Sequence, residues 1–166
     1  MARRIDREVA LAIKAAMTCA RRQGALELGG EHLLVGIAQV PCRAAALLAQ
    51  LGVDARALED AVGRGAHDAR LLAGLGIDLA AVQRQAGARL STRWRTRRPR
   101  FRADVGQAID RSRREMRALS TRRLRAEHLL LGLLDTSVAA RELLLALDID
   151  PMVLRRTVLR ALTDAE

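Results

Sequence analysis

Two stretches of this 166-residue chain repeat each other at a fixed offset of 96 positions. Glu31-His32-Leu33-Leu34-Val35-Gly36-Ile37 returns as Glu127-His128-Leu129-Leu130-Leu131-Gly132-Leu133, and Leu51-Gly52-Val53-Asp54 returns as Leu147-Asp148-Ile149-Asp150. Aligning residues 6–64 with 102–160 without a gap gives 18 identities in 59 pairs, including Val9/Val105, Ala12/Ala108, Leu47/Leu143 and Leu58/Leu154. Self-similarity on this scale marks a duplicated structural unit that stacks on its own copy.

The residues of each unit predict short helices. Aromatics amount to Trp94 and Phe101 alone, so the core must be built from Leu, Ala, Val and Ile. Leu, Ala and Arg dominate, and all three favour helix. Asp6 caps a helix to about Gln23, whose Val9, Ala12, Ile13, Ala16, Met17 and Ala20 share one face. Glu31–Val40 follows, stopped by Pro41, then Ala44–Leu51 ending at Gly52, then a helix capped by Asp54 running to about Arg64. Repeat two copies the plan as Arg102–Ala118, Ala126–Asp135, Val138–Leu147 and Pro151–Leu162, the last started by Asp150-Pro151. The expected architecture is all-α: a pseudo-twofold duplicated four-helix repeat in a single domain over 1–166. Repeat one spans 5–64 and repeat two spans 101–162.

Residues 65–100 lie between them. Gly74-Leu75-Gly76-Ile77-Asp78 followed by Leu79, Val82, Ala86 and Leu90 predicts one further capped helix. Behind it runs a basic connector with Arg93, Arg95, Arg97, Arg98 and Arg100, interleaved with Trp94, Pro99 and Phe101. A link of this length is either functional or flexible.

The formal charge is +10, and 28 of the 29 basic residues are Arg, Lys14 being the exception. That balance suits an anionic partner, whether nucleic acid, an acidic protein or a membrane surface. It also suits a GC-rich genome spending Arg on solvated positions. Cys19 and Cys42 stand apart with no Cys/His cluster, which argues against zinc and for reduced thiols. No apolar run reaches ~18 residues and the N-terminus lacks a signal-peptide core, so a cytoplasmic location with no membrane span is expected.

The ordered set of long helix, Glu-His-Leu-Leu-x-Gly helix and Leu-Gly-Val-Asp turn, present twice in register, resembles the Clp N-terminal (Clp repeat) domain family. The extra inter-repeat helix and basic connector are similar to stand-alone actinobacterial-type members lacking the AAA+ ATPase modules. The resemblance implies a non-catalytic docking platform for Clp unfoldase, adaptor or client proteins at the groove between repeats. No phosphate-binding G-x-x-x-x-G-K-[ST] is present. An adaptor, modulator or decoy in Clp-dependent proteolysis is the leading reading.

The resemblance also implies where partners would bind. In some members the matching glutamates hold the guanidinium of phosphorylated arginine, which points to Glu31 and Glu127. The family's phosphate-binding threonines fall on Asp6, which would repel phosphate, and Arg102, which would attract it. Each glutamate is equally explained by the helix dipole at its N-terminus. His32 and His128, beside Leu-Leu pairs, read as buried histidines hydrogen-bonded within their own repeats rather than as metal ligands. The alternatives are nucleic-acid binding by Arg93, Arg95, Arg97, Arg98 and Arg100 with Trp94 stacking on a base, and sequestration of a Clp-targeting peptide natural product, although Met1–Asp6 holds no Phe to match the family's aromatic contact. No arranged nucleophile and base suggests an enzyme, and no motif calls for a metal or cofactor.

Overall fold

The computed structural model describes residues 4–25, 27–63 and 100–164. The expected inter-repeat helix and the residues Arg93, Trp94, Arg95, Arg97 and Arg98 lie outside them. Repeat one comprises β1 (Arg4–Ile5), α1 (Arg7–Arg22), β2 (Glu27–Leu28), α2 (Gly30–Gln39), α3 (Arg43–Gln50) and α4 (Ala55–Gly63). Repeat two comprises β3 (Arg100–Phe101), α5 (Ala103–Ala118), β4 (Arg123–Leu124), α6 (Ala126–Thr136), α7 (Val138–Leu145) and α8 (Pro151–Thr163). The structure is the duplicated helical fold the sequence implies, with helix ends within about two residues of those expected.

Local chemistry sets the ends. Asp6 accepts from the Arg7 amide, Asp54 from Ala57 and Asp150 from Met152, each satisfying a donor that the first turn leaves free. The turns after α1 and α3 use left-handed residues at Gly24 (φ 68°) and Gly52 (φ 82°). Their counterparts in repeat two are Ser120 (φ 53°) and Asp148 (φ 60°), so the second repeat holds the same turns with residues less suited to them.

The second helix of each repeat is the centre of the molecule. Gly30 and His32 to Ile37 in α2, and Ala126 to Leu134 in α6, are all buried, as expected of helices apolar on every side. α2 packs on α1, α3 and α4 and also on α6 and α7 of the other repeat, so one core runs through both halves. Gly36 and Gly132 let the helices meet closely. A Cβ on Gly36 would strike the Ala12 carbonyl oxygen, and a Cβ on Gly132 would strike that of Ala108. The glycine of the repeated motif is therefore a packing residue.

Short strands, which the helical periodicity did not foretell, tie the repeats together reciprocally. β1 pairs in parallel with β4 (Arg4 opposite Arg123, Ile5 opposite Leu124), and β2 with β3 (Glu27 opposite Arg100, Leu28 opposite Phe101). The Asp6 amide donates to the Leu124 carbonyl at 3.0 Å and the Arg102 amide to the Leu28 carbonyl at 2.9 Å. Every member of one pairing maps onto the other by the 96-residue offset, so the two halves grip each other as an isologous pseudo-dimer does.

Candidate binding site at the repeat junctions

The two strand pairings deliver the candidate residues to two separate junctions. The β2–β3 junction brings together Glu31, Arg102 and Asp104. The β1–β4 junction brings Glu127 near Asp6 and Glu8. The four residues singled out from the sequence thus divide into two pairs, Glu31 with Arg102 and Glu127 with Asp6.

At the first junction Arg102 ends β3 and reaches across to α2. Its Nη1 and Nη2 donate to Glu31 Oε1 and Oε2 at 3.2 and 2.6 Å, a two-pronged pair. Nε and Nη2 also donate to Asp104 Oδ1 and Oδ2 at 3.1 and 3.0 Å. Asp104 Oδ2 accepts in addition from the Gly30 amide (3.1 Å) and the Ser137 hydroxyl (2.7 Å), and that hydroxyl caps α7 by accepting from the Ala140 amide. Hydrogen bonding to Asp104 raises the Arg102 pKa further still. Burial pushes the Asp104 carboxyl up, but its bonds from Arg102, Ser137 and Gly30 outweigh this and hold it below the usual carboxylate range. Glycines make the room: a Cβ on Gly29 would strike the Arg102 guanidinium, and one on Gly30 would strike Ser137. Arg102 is consequently not the free phosphate-attracting cation the sequence suggested. Its charge is spent on two carboxylates of its own chain.

The second junction has the same backbone and different chemistry. Asp6 stands where Arg102 stands, Glu8 where Asp104 stands, and Pro41 where Ser137 stands. Glu127 is 2% exposed, and its Oε2 has no hydrogen-bond partner. Burial and the neighbouring Glu127 charge raise the Glu8 carboxyl, while the Ala126 amide pulls it down. Burial raises the half-buried Cys42 thiol too, with Glu8 and Glu127 adding to the effect. Among the described side chains no arginine or lysine forms an ion pair with Glu127 or Glu8, though the Arg125 charge also lowers the Glu8 carboxyl from farther off.

The histidines are structural. His32 Nδ1 accepts from the Gly29 amide at 3.1 Å and His128 Nδ1 from the Arg125 amide at 3.2 Å, so each caps the start of its own helix. His128 Nε2 then carries the proton and donates to Thr121 Oγ1 (3.1 Å), which donates to the Met116 carbonyl (3.2 Å). Burial, with help from Arg125, lowers His128 to about 4. Among the described residues no group of three or more His, Cys, Asp and Glu side chains is placed to hold a metal.

Two further features escaped the sequence reading. A groove of about 620 Å³ lies within repeat two, lined by Val138, Leu145, Met152, Arg141, Glu142 and Arg155 among others. Val138, Leu145 and Met152 are 57%, 56% and 60% exposed, and the signal was available: repeat one has Cys42, Ala49 and Arg56 there. The other is Asp135 on α6, which accepts from Arg111 Nε and Arg155 Nε at 2.8 and 2.9 Å and fastens α8. Of the connector arginines only Arg100 is described; it is exposed and faces Glu27 across the strands. No single described helix is long and apolar enough to cross a membrane.

No protein-family model matches the chain. No curated protein matches it in sequence either. Solved structures do match. The N-terminal domain of the caseinolytic protease-associated chaperone ClpD from Arabidopsis thaliana superposes with a TM-score of 0.70 at 18% identity, over 96% of this chain and 95% of that one. The Hsp104 N-terminal domain from Candida albicans gives 0.59 at 13% identity, over 94% and 89%. A chain from a structural investigation of a malarial protein secretion system gives 0.62 at 14% identity, over 96% and 95%. Identities this low speak to architecture, and the architecture is that of a Clp N-terminal domain.

Proposed function

We propose that this chain is a non-catalytic protein-binding module of Clp-type proteolysis, acting as an adaptor, modulator or decoy. The observation that carries the reading is the fold shared almost end to end with N-terminal domains of Clp-type chaperones. Partners would dock at the junctions around Glu31 and Glu127. The exposed Val138, Leu145 and Met152 supply apolar area for such contact.

Immobilised chain should retain purified Clp unfoldase or its adaptors from the host, and Glu31→Ala combined with Glu127→Ala should reduce that retention at least tenfold. Equal retention by the double variant would remove the junctions as the docking site. No retention of any Clp component by the wild type would remove the function itself. Nucleic-acid binding through the connector is the alternative reading, and of the arginines and tryptophan it would use only exposed Arg100 lies among the described residues. It predicts affinity falling steeply with salt, by about 0.9 in log K per log unit of salt for each phosphate neutralised.

A further inference from the structure

We propose that two copies of this chain pair through repeat two, helix α7 against helix α7, antiparallel about a twofold axis. The inference stands apart from the protein-binding reading and does not depend on it.

The outward face of α7 is self-complementary. Val138, Arg141, Glu142 and Leu145 follow the i, i+3, i+4 and i+7 spacing that sets them on one side of the helix. Ala140, Leu143 and Leu144 are buried on the other side, and the four outward side chains line the groove. In an antiparallel pair with the axis between positions 141 and 142, Val138 meets the partner's Leu145 and Arg141 meets the partner's Glu142. The same two contacts recur across the axis. Apolar ends then meet apolar ends and each charge meets its opposite, as an isologous interface requires.

These side chains are available for such a contact. Val138 and Leu145 are more than half exposed, as is Met152 of α8, which lines the same groove. Arg141 donates Nη1 to the Leu134 carbonyl at 2.9 Å, and among the described residues neither it nor Glu142 has an ion-pair partner. Successive residues of a helix do not face each other, so Arg141 and Glu142 do not pair within one chain. A second copy supplies a partner to both.

Charge also favours a second copy as the occupant. A chain of formal charge +10 repels its like, so association needs a face without excess charge. Here Asp135 and Glu115 take up Arg111 and Arg155, and Arg141 balances Glu142. Repeat one has no such face: Cys42, Ala45, Ala46 and Ala49 stand at the aligned positions, and Arg56 replaces Met152. One face per chain gives a closed pair rather than an open filament. A two-turn helix and its flank make a small interface, so the pair should form only as concentration rises.

Sedimentation equilibrium of the full chain tests this. The average mass should climb with concentration from that of one chain to twice it and stop there. Arg141→Glu and Glu142→Arg should each weaken the dimer roughly tenfold or more, because each sets like charges against one another at the axis. An equimolar mixture of these two variants should associate as the wild type does, since each offers the charge the other lacks. Leu145→Asp should abolish association. Glu142 and Leu145 are exposed, so their variants keep the test open should Arg141→Glu, deprived of its bond to Leu134, fail to fold.

A chain that stays single at every concentration would overturn the proposal. Dimers indifferent to all three variants would overturn the choice of α7. Charge variants that fail to associate on mixing would overturn the antiparallel register, and growth beyond two copies would overturn the twofold. A single chain in which Leu145→Asp instead lowers retention of Clp partners would give this face to those partners.

Discussion

The two junctions are one piece of backbone used twice, and they differ in whether the chain completes its own charges. At β2–β3, Glu27 faces Arg100, and Glu31 and Asp104 share Arg102. At β1–β4, Glu127, Glu8 and Asp6 gather, and among the described side chains no cation is bonded to them as Arg102 is to Glu31 and Asp104, although the Arg125 charge acts on Glu8. The first junction is finished as a structural clamp. The second leaves one oxygen of buried Glu127 without a hydrogen-bond partner. Duplication allows the pattern: once two copies share a core and both strand pairings, the side chains at one junction can diverge from those at the other.

That division requires the core to be symmetric where the junctions are not, and the largest expected effects probe this. Leu34 and Leu130 occupy equivalent positions and are both 0% exposed. Leu34→Ala and Leu130→Ala should each cost ~3 kcal/mol through lost transfer energy and an unfilled cavity. Urea unfolding should show the two losses equal within ~1 kcal/mol in one cooperative transition. Losses in two separate transitions would mean that the halves fold independently, and the comparison between them would then concern two domains.

Acidification should separate the repeats next. His128 titrates near 4 in the folded chain and near 6.5 unfolded, because burial disfavours its charged form. Between those values the unfolded chain takes up a proton that the folded chain refuses. The contribution is therefore complete above pH 6.5, falls as pH drops to about 4, and changes no further below that. The full span is worth ~3 kcal/mol. His32 is also lowered by burial, but the adjacent Glu31 acts to raise it. It also lacks the threonine partner, since Ala25 stands opposite Thr121 in the alignment. Proton resonances of the two imidazoles followed from pH 7 to 4 should show His32 charging first. His128 titrating at an ordinary pKa would contradict the Arg125–His128–Thr121–Met116 chain.

What the sequence disclosed follows the same line between shared and unshared features. Helices with a buried face, caps at Asp6, Asp54 and Asp150, the turn at Gly52 and the buried histidines are local or periodic, and they were legible. The strands were not, because two residues carry no alternation. The role of Arg102 was not, because its partners lie 71 positions away at Glu31 and two positions away at Asp104, and only the fold makes them one cluster. One clue was present: within a repeat that keeps Glu, His and both Leu residues, Asp6 and Arg102 are opposite in charge. A charge reversal at aligned positions of a duplicated chain points to junctions that have diverged. The apolar residues Val138, Leu145 and Met152 carried the same kind of signal against Cys42, Ala49 and Arg56.

The smallest effect is the one most specific to the junctions. Removing Arg102 leaves Glu31 and Asp104 partly buried without a cation. The guanidinium is 38% exposed on its side chain, so solvent screens much of the pair, and Arg102→Ala should cost ~2 kcal/mol rather than the larger penalty of a fully buried ion pair. Asp6→Ala removes a helix cap worth ~1 kcal/mol. It also removes a charge that raises Glu8, and the two effects offset to leave a change of ~0.5 kcal/mol or less. High salt should narrow the difference, since it weakens the Arg102 pair and the Asp6 repulsion together. Equal losses from the two substitutions, measured by denaturant midpoint at low salt, would mean that Arg102 is only another cap and that the first junction is not held by its charge. A loss at Arg102 several times that at Asp6 places the clamp where the geometry puts it.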